Sequence, residues 1–156
     1  MTFSCFDAAD YVTGGTHCHL EKMVNLPYGD AVNLLLIEDE EDVADVLARA
    51  FREDGHETVV AYTGEDGLTC LRHRRPDAVV LDIRLPKMSG IEVLRAIRST
   101  DQALPVIILT GLARPSEIAE ARELGVTEII EKSYVLKYFG EALARAVRAA
   151  PPDSGR

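Results

Sequence analysis

Positive charge is scarce in this sequence. Lysine and arginine together number 17 against 26 aspartates and glutamates, a formal net charge of −9. Phosphate binding needs a basic surface, so the balance weighs against direct contact with DNA or RNA. It weighs equally against an anionic membrane surface. Long apolar runs are lacking too, since none approaches the roughly 20 residues that cross a bilayer. The N-terminus has neither the basic start nor the apolar stretch of a secretory signal, so a cytoplasmic location is the expectation. Cysteine is sparse: Cys5, Cys18 and Cys70 form an odd set without the spacing of a disulfide framework. "HCH" at residues 17–19 invites a metal reading. Adjacent residues on a short segment seldom close a tetrahedral site, however, and no second ligand cluster lies nearby, so a solvated surface is expected there.

What is present is a core's worth of apolar residues, 47% of a 156-residue chain, which is a globular composition sized for one domain. After about residue 32, strand-length apolar stretches alternate with helix-length amphipathic ones. "NLLLIE" (33–38), "HETVVAY" (56–62), "DAVVLD" (77–82), "PVIILT" (105–110) and "VTEIIEK" (126–132) read as strands. The helices are expected at 41–54, 64–75, 89–100, 115–125 and 134–150. The first places Val43, Val46, Leu47, Ala50 and Phe51 on one face, and the last places Leu136, Phe139, Leu143 and Val147 on a stripe. Gly55 suits a helix stop, Pro76 ends the second helix, and Pro115 suits a first turn. The two middle strands are continuously apolar, as strands covered on both faces are. The class is therefore α/β, an open doubly wound parallel sheet of five strands with helices on both faces. Residues 1–31 stand outside this pattern and read as a flexible extension, in which Met23 is a plausible alternative start. Residues 32–150 form the domain, and 151–156 read as a tail with no second domain after it.

In such a sheet, ligands sit beyond the carboxyl ends of the strands. The first strand ends in Glu38 and Asp39, the third in Asp82, the fourth in Thr110 and the fifth in Lys132. Asp82 closes an apolar run because the strand carries it through the core to a polar rim. Clustered carboxylates need an offsetting positive charge, which a hard divalent cation such as Mg²⁺ supplies through oxygen ligands. A carboxylate at the centre of such a set can act as a nucleophile toward phosphorus.

The stretches "LLLIEDEEDV", "VVLDIRLPKMSGIEVLRAIR", "PVIILTG" and "ELGVTEIIEK" resemble the receiver domain of two-component response regulators, over roughly residues 32–149. The resemblance implies a flavodoxin-like sheet of strand order 2-1-3-4-5. It implies that Asp82 accepts phosphoryl from a histidine kinase or phosphotransfer protein, with self-catalysed steps rather than conventional turnover. Glu38 and Asp39 match the acidic pair that holds Mg²⁺ together with Asp82, and the remaining metal contact would be the backbone carbonyl of Arg84. Thr110 and Lys132 match the switch hydroxyl and the phosphate-binding lysine. Kinase docking is then expected near helix 41–54. The output would pass through the surface of helix 115–125, strand 126–132 and helix 134–149, to a downstream protein or a second copy of the chain.

Three positions depart from that family's habit. Ser133 stands where a proline usually follows the lysine. A cis bond before a non-proline costs roughly 2.5–4 kcal/mol, so a trans Lys132–Ser133 bond is expected, with Ser133 available to cap the last helix. Ile129 replaces an aromatic residue whose rotation follows the switch hydroxyl, and Gly111 replaces alanine. Arg84 and Leu112 flank the site; the expectation is that Arg84 pairs with phosphoryl oxygens and Leu112 hinders water. A haloacid-dehalogenase-type phosphatase needs a second acid where Arg84 stands. A dinucleotide-binding domain needs a glycine-rich turn where "EDEED" stands. The competing function is a receiver-like interaction module that works without phosphorylation.

Overall fold

The computed structural model describes residues 31–149, so the expectations for residues 1–30 and 150–156, the "HCH" segment and Met23 among them, lie outside the described residues. The elements are β1 (Asn33–Ile37), α1 (Glu41–Glu53), β2 (Glu57–Ala61), α2 (Gly64–His73), β3 (Ala78–Asp82), α3 (Gly90–Thr100), β4 (Val106–Thr110), α4 (Pro115–Glu123), β5 (Glu128–Glu131) and α5 (Val135–Ala149). A single 3₁₀ turn, Lys132–Tyr134, joins β5 to α5. The strands are all parallel, in the order β2-β1-β3-β4-β5. No helix among the described residues is long and apolar enough to cross a membrane.

The period of two along each strand divides the core between the two faces. Leu34, Leu36, Ala78, Val80, Ile107, Leu109 and Ile130 meet α1 and α5 on one side. Leu35, Ile37, Val79, Leu81, Val106 and Ile108 meet the other helices on the opposite side. The middle strands therefore carry no polar residue until their carboxyl ends, and β3 is buried along its whole length, Asp82 included. On the first face, α1 and α5 are joined by Phe51 and Phe139, whose rings stack with centroids 3.9 Å apart.

Local signals explain the boundaries. In α1 the helix ends in a left-handed residue, Gly55 (φ 93°). Its N–H donates to the Arg52 carbonyl, and that of His56 reaches back to Phe51, the paired bonds of a Schellman stop. Thr63 caps α2 by accepting from the Asp66 N–H. Ser89, expected inside the third helix, instead caps it: its hydroxyl accepts from the Glu92 N–H while Glu92 accepts from the Ser89 N–H.

Two expected faces are rotated. In α1 the buried residues are Ala44, Leu47, Ala48 and Phe51, and Val46 is 46% exposed. The small Ala44 and Ala48 let the helix lie close to the sheet, and Val46 falls on the far side. In α5 the buried stripe is Val135, Phe139, Ala142, Leu143 and Ala146, whereas Leu136 is 64% exposed. The 3₁₀ turn delivers Val135 to the core, and its successor, one step of about 100° around the helix, points away.

Candidate functional site

The carboxyl ends of the strands bring together most of the expected residues. Glu38 follows β1 directly and is fully buried, because its N–H continues the sheet by donating to the Ala61 carbonyl of β2. Asp82 ends β3 and is 2% exposed. Ligand oxygens of Glu38, Asp39 and Asp82 all lie within 4.8 Å of one another. Lys132 arrives from the carboxyl end of β5, at the edge of the sheet, and bridges two of them, its Nζ standing 2.8 Å from Asp82 Oδ2 and 2.8 Å from Glu38 Oε2. Glu40, which sequence reasoning passed over, lies 4.0 Å from the same ammonium.

Glu38, Asp82 and Lys132 act on one another's charge. Burial, reinforced by the Asp82 charge, raises the Glu38 carboxyl above its ordinary range, although the Lys132 ammonium beside it pulls the other way. Burial alone would lower the Lys132 ammonium, but Asp82 and Glu38 outweigh it and hold the group above its usual value. The Glu38–Lys132 contact is a close ion pair, and Oε2 is buried without a hydrogen bond. An oxygen so placed, inside a set of oxygen-only donors, suits a hard divalent cation. The acidic cluster can therefore hold a metal ion.

The second carboxylate oxygen of Asp82 is aimed by the backbone. Oδ1 accepts from the Arg84 N–H at 3.0 Å. Gly90, the first residue of α3, donates its N–H to the Ile83 carbonyl and packs directly on the Asp82 backbone. The loop after β3 is thus fixed from both ends.

Other expected residues take positions that the sequence did not reveal. Thr110 ends β4 at the rim, but its hydroxyl accepts from the Ala113 N–H at 2.9 Å and makes no hydrogen bond to Asp82. Leu112 is 85% exposed, and it is its carbonyl that takes part, accepting from Arg84 Nη2 at 2.7 Å. The same guanidinium lies 3.7 Å from Glu117 in the first turn of α4. Glu117 was not singled out from the sequence; the signal available was an acid in the first turn after Pro115. No peptide bond among the described residues is cis, so Lys132–Ser133 is trans as expected. Ser133 does not cap α5: it sits inside the 3₁₀ turn, and its hydroxyl donates to the Glu131 carboxylate at 2.7 Å. Ile129 is half-buried on the side of the sheet that carries α4.

A family model described as the response regulator receiver domain matches residues 34–144. Among curated proteins, the response regulator MprA of Mycobacterium sp. (strain KMS) is 32% identical over 124 residues, covering 80% of this chain and 54% of that protein. The transcriptional regulatory protein AfsQ1 of Streptomyces coelicolor is 42% identical over 100 residues, covering 64% of this chain and 44% of that one. The chain thus spans about half the length of the curated relatives it matches. Among solved structures, a response regulator receiver domain protein from Clostridium thermocellum superposes with a TM-score of 0.71 at 27% identity, covering 74% of this chain and 94% of the other.

Proposed function

The chain belongs to the response regulator receiver domain family, and from that premise we propose that it accepts a phosphoryl group on Asp82 from a histidine kinase or phosphotransfer protein. The observation that carries this reading is the convergence of Asp82, Glu38, Asp39 and Lys132 at one end of the sheet, with a lysine Nζ 2.8 Å from the acceptor carboxylate. An Asp82 carboxylate oxygen attacks the phosphorus of the donor phosphohistidine. The phosphorus–nitrogen bond breaks, and the departing imidazole nitrogen keeps the electron pair and takes up a proton. Glu38, Asp39, Asp82 and the Arg84 carbonyl are the groups that would hold Mg²⁺, which when bound supplies positive charge against the phosphoryl oxygens.

The chain's own residues do the rest. The Lys132 ammonium balances the buried carboxylates beforehand and then serves the phosphoryl oxygens. The Arg84 N–H fixes the rotation of the Asp82 carboxylate. Thr110 keeps a hydroxyl hydrogen free to donate, since in its bond with Ala113 it only accepts. The product biases a surface of α4, β5 and α5 toward a downstream protein or a second copy of the chain, in the cytoplasm.

Purified protein, Mg²⁺ and acetyl phosphate, followed by intact mass, test the reading. One phosphoryl group is expected on the wild type and none on Asp82→Ala or without metal. The half-buried Ile129, which has no ring to swing, favours the second reading, an interaction module that needs no phosphorylation. An unlabelled protein that also fails to bind Mg²⁺ would decide for that module.

A further inference from the structure

The Arg84 side chain ties the loop after β3 to the loop after β4. Its guanidinium donates to the Leu112 carbonyl at 2.7 Å and lies 3.7 Å from the Glu117 carboxylate. Glu117 is already engaged, since it accepts from the Arg114 N–H at 2.6 Å and so closes the N-terminus of α4. Between these points, Thr110 accepts from the Ala113 N–H. One arginine therefore holds the segment 110–117 in an arrangement in which the Thr110 hydroxyl oxygen is committed to its own loop.

We propose that Arg84 is a latch: it clasps the Leu112 carbonyl and Glu117 while Asp82 carries no phosphoryl group, and a phosphoryl group on Asp82 draws it away, freeing segment 110–117 and the first turn of α4. The inference rests on the phosphoacceptor reading of Asp82.

Geometry and charge support the exchange. The Arg84 backbone N–H is hydrogen-bonded to Asp82 Oδ1, so the side chain starts beside the acceptor. The guanidinium holds only a neutral carbonyl and a longer-range carboxylate contact, and its side chain is 47% exposed. An exposed pair of that kind is weakly held. A phosphoryl group offers more charge and several acceptor oxygens that match the guanidinium fork. Moving there costs the loop its clasp, and the exposed Gly111 and Leu112 put no packing in the way. With Ile129 where a rotating ring would stand, the latch gives the site a direct route to α4 that passes through a charged side chain.

Hydrogen exchange read by mass spectrometry on the whole chain tests this, with wild type, Arg84→Ala and Arg84→Lys, before and after treatment with acetyl phosphate and Mg²⁺. In untreated protein, Arg84→Ala is expected to speed exchange several-fold at amides 111–118 and to leave β1 and α1 unchanged, with Arg84→Lys between the two. Phosphorylation of the wild type, verified by intact mass, is expected to speed the same amides, and to add little in Arg84→Ala. Unchanged exchange at 111–118 in untreated Arg84→Ala overturns the latch, whether or not Asp82 accepts phosphoryl. So does an equal phosphorylation response in wild type and Arg84→Ala. If acetyl phosphate leaves the wild-type mass unchanged while untreated Arg84→Ala still loosens the loop, the clasp stands and the phosphoacceptor reading, with the release half of the proposal, falls.

Discussion

Gly90 lies so close to Asp82 that a Cβ built on it would fall 2.2 Å from the Asp82 carbonyl oxygen. Neither partner in this contact is a flexible side chain, so any substitution must move the backbone that carries Asp82. Gly90→Ala is expected to cost about 3 kcal/mol, at the upper end for overpacking, and to misplace Asp82. Gly111 is the contrast: a Cβ there meets nothing within 4 Å. Gly111→Ala is expected to change stability by no more than about 0.5 kcal/mol. Urea denaturation of the two variants, with acetyl phosphate labelling of each, checks both statements; a destabilisation of similar size in the two would refute the contact argument.

Lys132 is what lets Glu38 and Asp82 sit side by side out of water. Removing it leaves two buried carboxylates facing each other, and the lost pairs are only partly screened because the lysine side chain is 22% exposed. Lys132→Met is therefore expected to lose about 2–3 kcal/mol in metal-free buffer, somewhat less than a fully buried pair would. Mg²⁺ can replace part of the missing charge, so it should raise the Tm of the variant more than that of the wild type. Thermal melts across a Mg²⁺ titration measure both effects, and an equal response in the two proteins would argue that metal and lysine do not share these carboxylates.

The fold was largely legible because its signals are physical and local. The apolar runs of β3 and β4, bounded by Pro76 and Pro105, had no other use than a sheet covered on both sides. Asp82 was legible as the residue that ends the β3 run, and Glu38 as the one that ends the run of β1. What the sequence hid depends on rotation and on loops. Val46 and Leu136 look like core residues by spacing, but alanines at 44 and 48 and the 3₁₀ turn before Val135 set the actual faces. The side-chain partners of Arg84 are 28 and 33 positions away in the chain, at Leu112 and Glu117, so no local pattern announces them. The turning of Thr110 toward Ala113 is a loop conformation, equally silent in the sequence.

His56 links stability to pH. It is 9% exposed at the foot of β2, and its Nδ1 is buried without a hydrogen bond. Burial lowers its pKa below the ordinary histidine value, against a smaller opposing effect from Asp54. The unfolded chain then takes up a proton at a higher pH than the folded one. The stability is fully present above the unfolded value of about 6.5, and falls as pH drops from there toward the folded value, by at most about 1.4 kcal/mol per pH unit for one proton. His56→Leu is expected to flatten that slope and to cost little at pH 8. Urea midpoints measured at several values between pH 8 and 5 would show it; an unchanged slope in the variant would assign the pH response to other groups.

Arg98 fastens α3 to the end of α4 through four carbonyls. It donates to Asp101 and Leu104 beyond its own helix, and to Leu124 and Gly125 where α4 ends. A planar fork with five N–H donors can serve such a set, whereas an ammonium has three donors and no fixed plane. The guanidinium is partly buried, and burial lowers its pKa. Truncation leaves the helix-end carbonyls without these donors, so Arg98→Ala is expected to cost about 2–3 kcal/mol, and Arg98→Lys to recover less than half of that. The loss should appear as faster hydrogen exchange near Val126 and Thr127 as well as a lower urea midpoint, because β5 enters the sheet directly after these carbonyls. A lower midpoint without faster exchange there would place the contribution of Arg98 within α3 alone.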